Sequence, residues 1–288
     1  MGLLYFSKVN PKNDIASSGP IGVFDSGYGG LTVLKEIVKK LPGYDYIYLG
    51  DNARSPYGTR SFETVYQYTR ECVQELFSKG CRLVIIACNT ASAKALRTIQ
   101  QKDLPKIDPR RRVLGVIRPT TEMVGKLTKT GHVGVLGTSG TISSSSYPIE
   151  IEKFFPLVSV YQQACPMWVP LVENNEIGSE AADLFIKQDL ASLFAQSGKI
   201  DTLILGCTHY PLLIDKIKKY IPNGVKLISQ GEIVADGLAD YLQRHPEIEE
   251  KCSKNGSARF YTTDSSENFD KAASLFFGKA VNSSQLIL

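Results

Sequence analysis

The stretch "RLVIIACNTASA", residues 82–93, changes character at Cys88. Before the cysteine, a run of apolar residues is typical of a buried strand. After it, Asn89, Thr90 and small residues are typical of the first turn of a helix. Strands that alternate with helices build parallel sheets, because parallel neighbours need crossover connections. The stretch therefore predicts an α/β fold with Cys88 at the carboxyl end of a strand.

A second stretch, "DTLILGCTHYPLL" at residues 201–213, repeats this pattern around Cys207. The elements before the two cysteines also keep one order, with a strand, a glycine-rich turn, a helix, a second strand and a long helical stretch. We therefore predict two similar α/β halves, each a mainly parallel sheet flanked by helices, with a site in the cleft between them. The two glycine-rich turns are "DSGYGG" at 25–30 and "GTSGT" at 137–141.

The repeat also predicts how the chain divides. The first half takes residues 21–116 together with 228–288, and the second half takes residues 117–227. Residues 1–20 hold only a short apolar patch, too short for the core of a signal peptide, and read as a loosely held N-terminal extension.

Composition places the chain among globular proteins, since 43% of its residues are hydrophobic and 22% are charged. A net charge of +4, well mixed along the chain, does not imply a nucleic-acid partner. No run of about 18 apolar residues predicts a membrane span. The six cysteines show neither a C-x-x-C pair nor zinc spacing, so we expect a reduced, cytoplasmic protein without a metal site.

Each repeated cysteine has two interpretations. Free cysteine is among the most buried residue types, and a structural thiol is the simpler one. The matched positions of Cys88 and Cys207 favour chemistry instead. Half ionisation of a thiol at neutral pH needs about 2 kcal/mol, and a helix N-terminus contributes only about 0.3 to 1 kcal/mol. Further donors are required, and Thr90, Thr208 and His209 stand close by in the sequence.

The glycine-rich turns lack both nucleotide-binding patterns, so a carboxylate is the more suitable guest for their backbone donors. Asp25 and Ser26 are expected at the rim of the cleft. Two further signals are weak by themselves. They are Tyr57 and Gly58 in the polar loop "DNARSPYG", and Glu173 after an apolar stretch, where an exposed charge is the plain interpretation.

Taken together, these stretches resemble glutamate racemases of the aspartate/glutamate racemase family. The motifs "GVFDSGYGGLTV", "GDNARSPYG", "ACNTASA", "ACPMWVPLVE" and "GCTHYPLL" stand in the order of that family. The likeness runs from about Ile21 to the C-terminus. It implies two α/β domains with the active site between them, and no need for pyridoxal phosphate or metal.

The resemblance assigns Cys88 to deprotonating D-glutamate and Cys207 to deprotonating L-glutamate. It makes Asp25, His209 and Glu173 their assistants. It further implies a homodimer and a role in peptidoglycan synthesis, whereas the lack of a long apolar run is the reason to expect no membrane partner. The positions that match the family's substrate-binding residues are Asp25, Ser26, Tyr57, Gly58, Asn89, Thr90, Thr208 and His209.

Three other functions stay open at this point. The chain is alternatively an aspartate or other amino-acid racemase of the same fold, a catalytically silent protein that binds an anion or a partner, or a Cys-His hydrolase. Two departures from the family pattern, Arg118 and the N-terminal extension, bear on subunit contacts rather than on chemistry.

Overall fold

A computed structural model describes residues 18–288. Within this range the apolar runs form strands in two separate sheets, one of six strands and one of four, and all neighbouring strands are parallel. The strands are β1 Ile21–Asp25, β2 Tyr46–Gly50, β3 Leu83–Ile86, β4 Arg112–Gly115, β5 His132–Gly137, β6 Ser159–Ala164, β7 Thr202–Gly206, β8 Lys226–Ile228, β9 Ala258–Thr262 and β10 Ser283–Gln285.

The two sheets share one strand order. The first runs β2-β1-β3-β4 with β9 and β10 added beside β2, and the second runs β6-β5-β7-β8. Cys88 follows β3 and Cys207 follows β7, so the cysteines occupy equivalent positions in equivalent orders. The prediction of an α/β fold with two similar parallel sheets is confirmed. Because β9 and β10 join the first sheet, we retain as a proposal the division into 21–116 plus 228–288 and 117–227.

Helices flank both sheets and bury their apolar faces against them. Helix α2, Phe62–Ser78, and helix α10, which begins at Glu180 after the Ser179 cap, are the long helical stretches expected before the two cysteine strands. The helices are α1 Leu31–Lys40, α2 Phe62–Ser78, α3 Asn89–Lys94, α4 Leu96–Thr98, α5 Leu104–Ile107, α6 Ile117–Leu127, α7 Ser139–Ser143, α8 Ser146–Phe154, α9 Trp168–Glu173, α10 Glu180–Gln196, α11 Ile214–Tyr220, α12 Gln230–Arg244, α13 Pro246–Glu249 and α14 Ser266–Phe277.

The segments after the cysteines differ from the single helices expected there. After α3 and α4, a widened π turn at Ile99–Asp103 precedes α5. Pro105 lies in the first turn of α5, and a proline ring clashes with the carbonyl four residues earlier in a regular helix. After Cys207, a tight 3₁₀ turn at Tyr210–Leu213 comes before α11.

Two residues of the predicted N-terminal extension pack against the first half, contrary to the expected boundary at residue 20. Gly19 and Pro20 are buried, and Gly19 exchanges main-chain hydrogen bonds with Lys251 and Ser253 at 2.9 Å each. A Cβ at Gly19 would lie 2.0 Å from the carbonyl oxygen of Gly80, so only glycine fits there. The rest of the predicted extension, residues 1–17, lies outside the described residues.

Among the helices between residues 18 and 288, none combines the length with the apolarity that crossing a bilayer requires.

Asp201 anchors the turn that enters β5, and its contribution to the free energy of unfolding depends on pH. Its carboxylate accepts hydrogen bonds from Thr128 Oγ1 at 2.6 Å and from the main-chain N–H groups of Lys129 and Thr130 at 2.7 and 2.9 Å. Burial opposes the charge, but these bonds outweigh it and lower the pKa of Asp201 to about 2. The carboxylate is therefore stabilised in the folded state relative to the unfolded chain, where its pKa is about 3.9.

We expect Asp201→Ala to reduce the free energy of unfolding at pH 7. A folded-state pKa below the unfolded value contributes stability above about pH 4, and this is lost as the pH falls through about 2. Urea unfolding at pH 7 and at pH 3 should show a smaller difference between variant and unsubstituted chain at pH 3. The exposed Asp215→Ala serves as a control, and an Asp201→Ala effect that does not shrink at pH 3 would contradict the prediction.

Candidate active site

Cys88 and Cys207 line the same cavity, which lies at the carboxyl ends of β3 and β7 and has a volume of about 100 Å³. Each cysteine is only 6% exposed. The cavity is well below the roughly 300 Å³ from which pockets for drug-sized ligands begin, so it suits a small ligand. The other predicted residues that line it are Ser26, Tyr57, Gly58, Asn89, Thr90, Glu173, Thr208 and His209.

Two glycines in the turn after β1 allow close packing here, Gly29 against the other half and Gly30 against Asp25 of its own turn. A Cβ at Gly29 would lie 2.2 Å from Thr208 Oγ1 and 2.5 Å from His209 Nδ1. A Cβ at Gly30 would lie 2.5 Å from the Cβ of Asp25. Any side chain at Gly29 would therefore push the first sheet's turn away from the segment that follows Cys207.

On the first side of the cavity, Cys88 caps helix α3. The main-chain N–H of Ala91 donates to its Sγ at 3.4 Å, and Ser26 Oγ lies 3.4 Å from the same sulfur. Burial and the negative charge of Asp25 raise the pKa of the Cys88 thiol to about 12, which the bonds from Ser26 and Ala91 only partly offset. Cys88 is therefore a protonated thiol in the ligand-free protein at neutral pH.

Asp25 lies behind this side of the cavity and is fully buried. The sequence pattern placed it at the rim of the cleft, and that prediction is wrong. Its Oδ2 accepts a hydrogen bond from the N–H of Gly27 at 2.9 Å, whereas its Oδ1 has no partner among the described residues. Burial raises the pKa of the Asp25 carboxyl, although the charge of His209 and the main-chain donors oppose this. Asp25 thus acts on Cys88 through the field of its carboxyl group.

On the second side, His209 lies between Cys207 and Glu173. Its Nδ1 is 3.9 Å from Cys207 Sγ, and its Nε2 is 3.0 Å from Glu173 Oε1. Burial disfavours a charged imidazole, but the hydrogen bonds to Cys207 and Glu173 outweigh it and raise the pKa of His209. When protonated, both ring nitrogens are donors, one to the sulfur and one to the carboxylate. The Glu173 side chain is one-quarter exposed. Because its carboxylate is a hydrogen-bond partner of His209, Glu173 is not an ordinary surface charge.

A cluster of three threonine hydroxyls forms another part of the site. Thr90 Oγ1 lies 2.9 Å from Thr138 Oγ1 and 3.4 Å from Thr141 Oγ1, and the latter two are 3.1 Å apart. Thr138 also lines the cavity. Neither Thr138 nor Thr141 was among the predicted site residues. The signal was present in the repeat, where Thr138 occupies the position of Ser26.

Three predicted residues line the cavity but have polar groups that are hydrogen-bonded to other parts of the protein. The hydroxyl of Tyr57 is bonded to Asp51, and the carbonyl of Gly58 accepts from the N–H of Gly140 at 2.8 Å. Both ends of the Asn89 amide are bonded within the protein. Asn89 and Thr90 form the first turn of α3, whose N–H groups have no intrahelical acceptors.

Arg118 lies away from the cavity, exposed on α6, where its Nε donates to Glu122 at 2.8 Å. Within residues 18–288, His, Cys, Asp and Glu side chains nowhere form a group of three suited to a metal ion. The described lining of the cavity contains no lysine, the residue that holds pyridoxal phosphate as a Schiff base.

Comparison with known proteins places these features in a family. A model of the Asp/Glu/Hydantoin racemase family matches residues 21–237. The glutamate racemase of Geobacter metallireducens is 43% identical over 259 residues, which cover 90% of this chain and 92% of that protein.

Solved structures agree with this. Glutamate racemase isoform RacE1 from Bacillus anthracis superposes with a TM-score of 0.86 at 37% identity, covering 95% of this chain and 99% of that one. Glutamate racemase from Francisella tularensis, solved in complex with D-glutamate, gives 0.82 at 34% identity, covering 94% and 97%. The chain therefore belongs to the Asp/Glu/Hydantoin racemase family, among its glutamate racemases, and is an amino-acid racemase.

Proposed function

We propose that this racemase interconverts L-glutamate and D-glutamate by proton transfer between Cys88, the substrate Cα and Cys207, with no cofactor. The observation that carries the proposal is that both thiols line one small cavity. Each thiol follows the equivalent strand of its half, β3 for Cys88 and β7 for Cys207. Racemisation removes a proton from one face of Cα and returns one to the other. Two bases on opposite sides satisfy this requirement where one base would have to move.

The step conserves its protons and electrons. For L-glutamate, the Cys207 thiolate takes the Cα proton and becomes a thiol, and the electron pair stays on the substrate as a carbanion. The Cys88 thiol then donates its proton to the opposite face and becomes a thiolate. For D-glutamate the two cysteines exchange roles.

The charges around the two sulfurs differ, and this difference supports a resting state in which Cys88 is protonated. Protonated His209 puts a positive charge beside Cys207, whereas Asp25 puts a carboxyl group beside Cys88. Cys88 is therefore the sulfur that keeps its proton in the resting site. Glu173 assists by keeping His209 charged.

The substrate proposal rests on the polar lining. Ser26, Thr90, Thr138 and Thr208 surround the cavity with hydroxyls, which are suitable donors to the carboxylates of an acidic amino acid. An aspartate preference is the alternative within the fold. A silent binding protein would have no use for two matched thiols, and a hydrolase built on Cys207 and His209 would leave Cys88 without a role.

We extend the proposal to the cellular setting. All six cysteines are unpaired and buried, as expected in the reducing cytoplasm. D-glutamate made there would supply peptidoglycan synthesis. We also propose that the protein acts as a homodimer, which sedimentation of the purified chain would test.

The proposal predicts that the purified, cofactor-free chain converts L-glutamate in D₂O to D-glutamate carrying deuterium at Cα. Cys88→Ser and Cys207→Ser should each reduce kcat by a factor on the order of 10³ or more, because a serine hydroxyl is a far weaker base than a thiolate. Circular dichroism and proton NMR of the Cα signal follow the two events.

Cys252→Ser is the matched control, since this buried thiol donates to the carbonyl of Ile248 at 3.4 Å and lies outside the cavity lining. It should keep its activity. No racemisation by the unsubstituted chain, or full activity in either active-site variant, would refute the mechanism. Faster turnover of L-aspartate than of L-glutamate would keep the mechanism and correct the substrate.

A second prediction concerns the charge on His209. Glu173→Gln removes the carboxylate whose hydrogen bond and charge raise the pKa of His209, so that pKa should fall. NMR titration of the imidazole signals measures it directly, and the activity of the variant should decline at a lower pH on the alkaline side. Exposed Glu176→Gln is the control, and an unchanged His209 pKa in Glu173→Gln would contradict the role given to Glu173.

A further inference from the structure

A closed ring of three hydrogen bonds lies beside the cavity. The Nδ2 of Asn89 donates to Gln230 Oε1 at 2.7 Å, Gln230 Nε2 donates to the Tyr147 hydroxyl at 2.8 Å, and that hydroxyl donates to Asn89 Oδ1 at 2.7 Å. Each member gives one bond and receives one, in a single direction around the ring. All three are buried, being 2%, 3% and 0% exposed. In such a chain the hydrogen bonds polarise one another, and each bond is strengthened.

The ring connects the surroundings of both cysteines. Asn89 follows Cys88 directly and begins α3. Tyr147, on α8 of the other half, packs on the residue before Cys207, since a Cβ added to Gly206 would lie 3.2 Å from the Tyr147 ring. A displacement of either partner therefore changes the position of a cysteine relative to the opposite half.

Gln230, the third member of this ring, lies where the chain leaves the four-stranded sheet and returns to the six-stranded one. It is the first residue of α12, two residues after β8 ends. Its Nε2 also lies 3.2 Å from the carbonyl of Val116 and 3.0 Å from Thr120 Oγ1, at the other passage, where β4 leads into α6. One amide thus contacts both crossings of the chain and both halves of the site.

We propose that Gln230 is a positioning residue for racemisation, which sets the separation of Cys88 and Cys207 through its ring with Asn89 and Tyr147. This inference rests on the proposed two-thiol function. Proton transfer requires the reacting atoms at about 3 to 3.5 Å, and a misplacement near 1 Å costs on the order of 100-fold in rate. None of the three hydrogen bonds of the ring involves a sulfur, and the ring acts by fixing where the two sulfurs stand.

The test compares Tyr147→Phe, Gln230→Met and the double variant. Each single change opens the ring while keeping most of the buried volume. We expect kcat to fall on the order of 10- to 100-fold with little change in KM, and the double variant to be no slower than the worse single variant, because an open ring cannot be opened again. Tyr46→Phe, which removes a buried hydroxyl bonded to the carbonyl of Leu41 at 2.7 Å, is the control.

The deciding readout is the kinetic isotope effect with glutamate deuterated at Cα. A wider gap between the sulfurs makes proton transfer more rate-limiting, so the isotope effect on kcat/KM should rise in both directions. A purely structural role would lower the active fraction and leave the isotope effect unchanged, and that result would overturn the inference. Tyr147→Phe deletes one atom and decides the matter should Gln230→Met not fold.

The two proposals fail in different ways. An unsubstituted chain that does not racemise glutamate would overturn both the function and the positioning role. An active unsubstituted chain whose ring variants keep its kcat and isotope effect would overturn the positioning role alone.

Discussion

The close contact between Gly29 and the Thr208–His209 segment is the constraint on which the site depends. At 2.2 Å from Thr208 Oγ1, the space that a Cβ would need is already occupied, so the turn after β1 can lie there only as glycine. This contact closes the seam between the two sheets. At this seam Asp25 lies in the field of His209, and Cys88 and Cys207 line one cavity. A parallel sheet alone would put each cysteine at an edge, without making the edges meet.

Within this seam, the two sides differ in charge although their folds match. The first side places a buried carboxyl near a buried thiol, and the second places an imidazole with a raised pKa between a sulfur and a carboxylate. In the proposed mechanism a symmetric pair of thiols would share one proton equally, whereas these charges favour the proton on Cys88. Under the proposed mechanism both sulfurs serve as acid and as base, so neither charge can be so strong that it fixes one protonation state permanently.

Sequence patterns predicted the strands, the long helices and the equivalence of Cys88 and Cys207, because these depend on local periodicity and on a repeat within one chain. The patterns did not identify Gln230, although it contacts both halves. Its partners Asn89 and Tyr147 lie 141 and 83 residues away, and glutamine at the start of a helix has no distinctive local signal. For the same reason the sequence does not indicate that both ends of the Asn89 amide are bonded within the protein.

A structure of the chain with glutamate bound would test the two-thiol mechanism most directly, through the positions of the two Sγ atoms relative to the substrate Cα. The mechanism predicts that Cys88 and Cys207 lie on opposite faces of that carbon, each sulfur within about 3 to 4 Å of it. Two sulfurs on the same face, or a Cα that only one sulfur can reach, would contradict it.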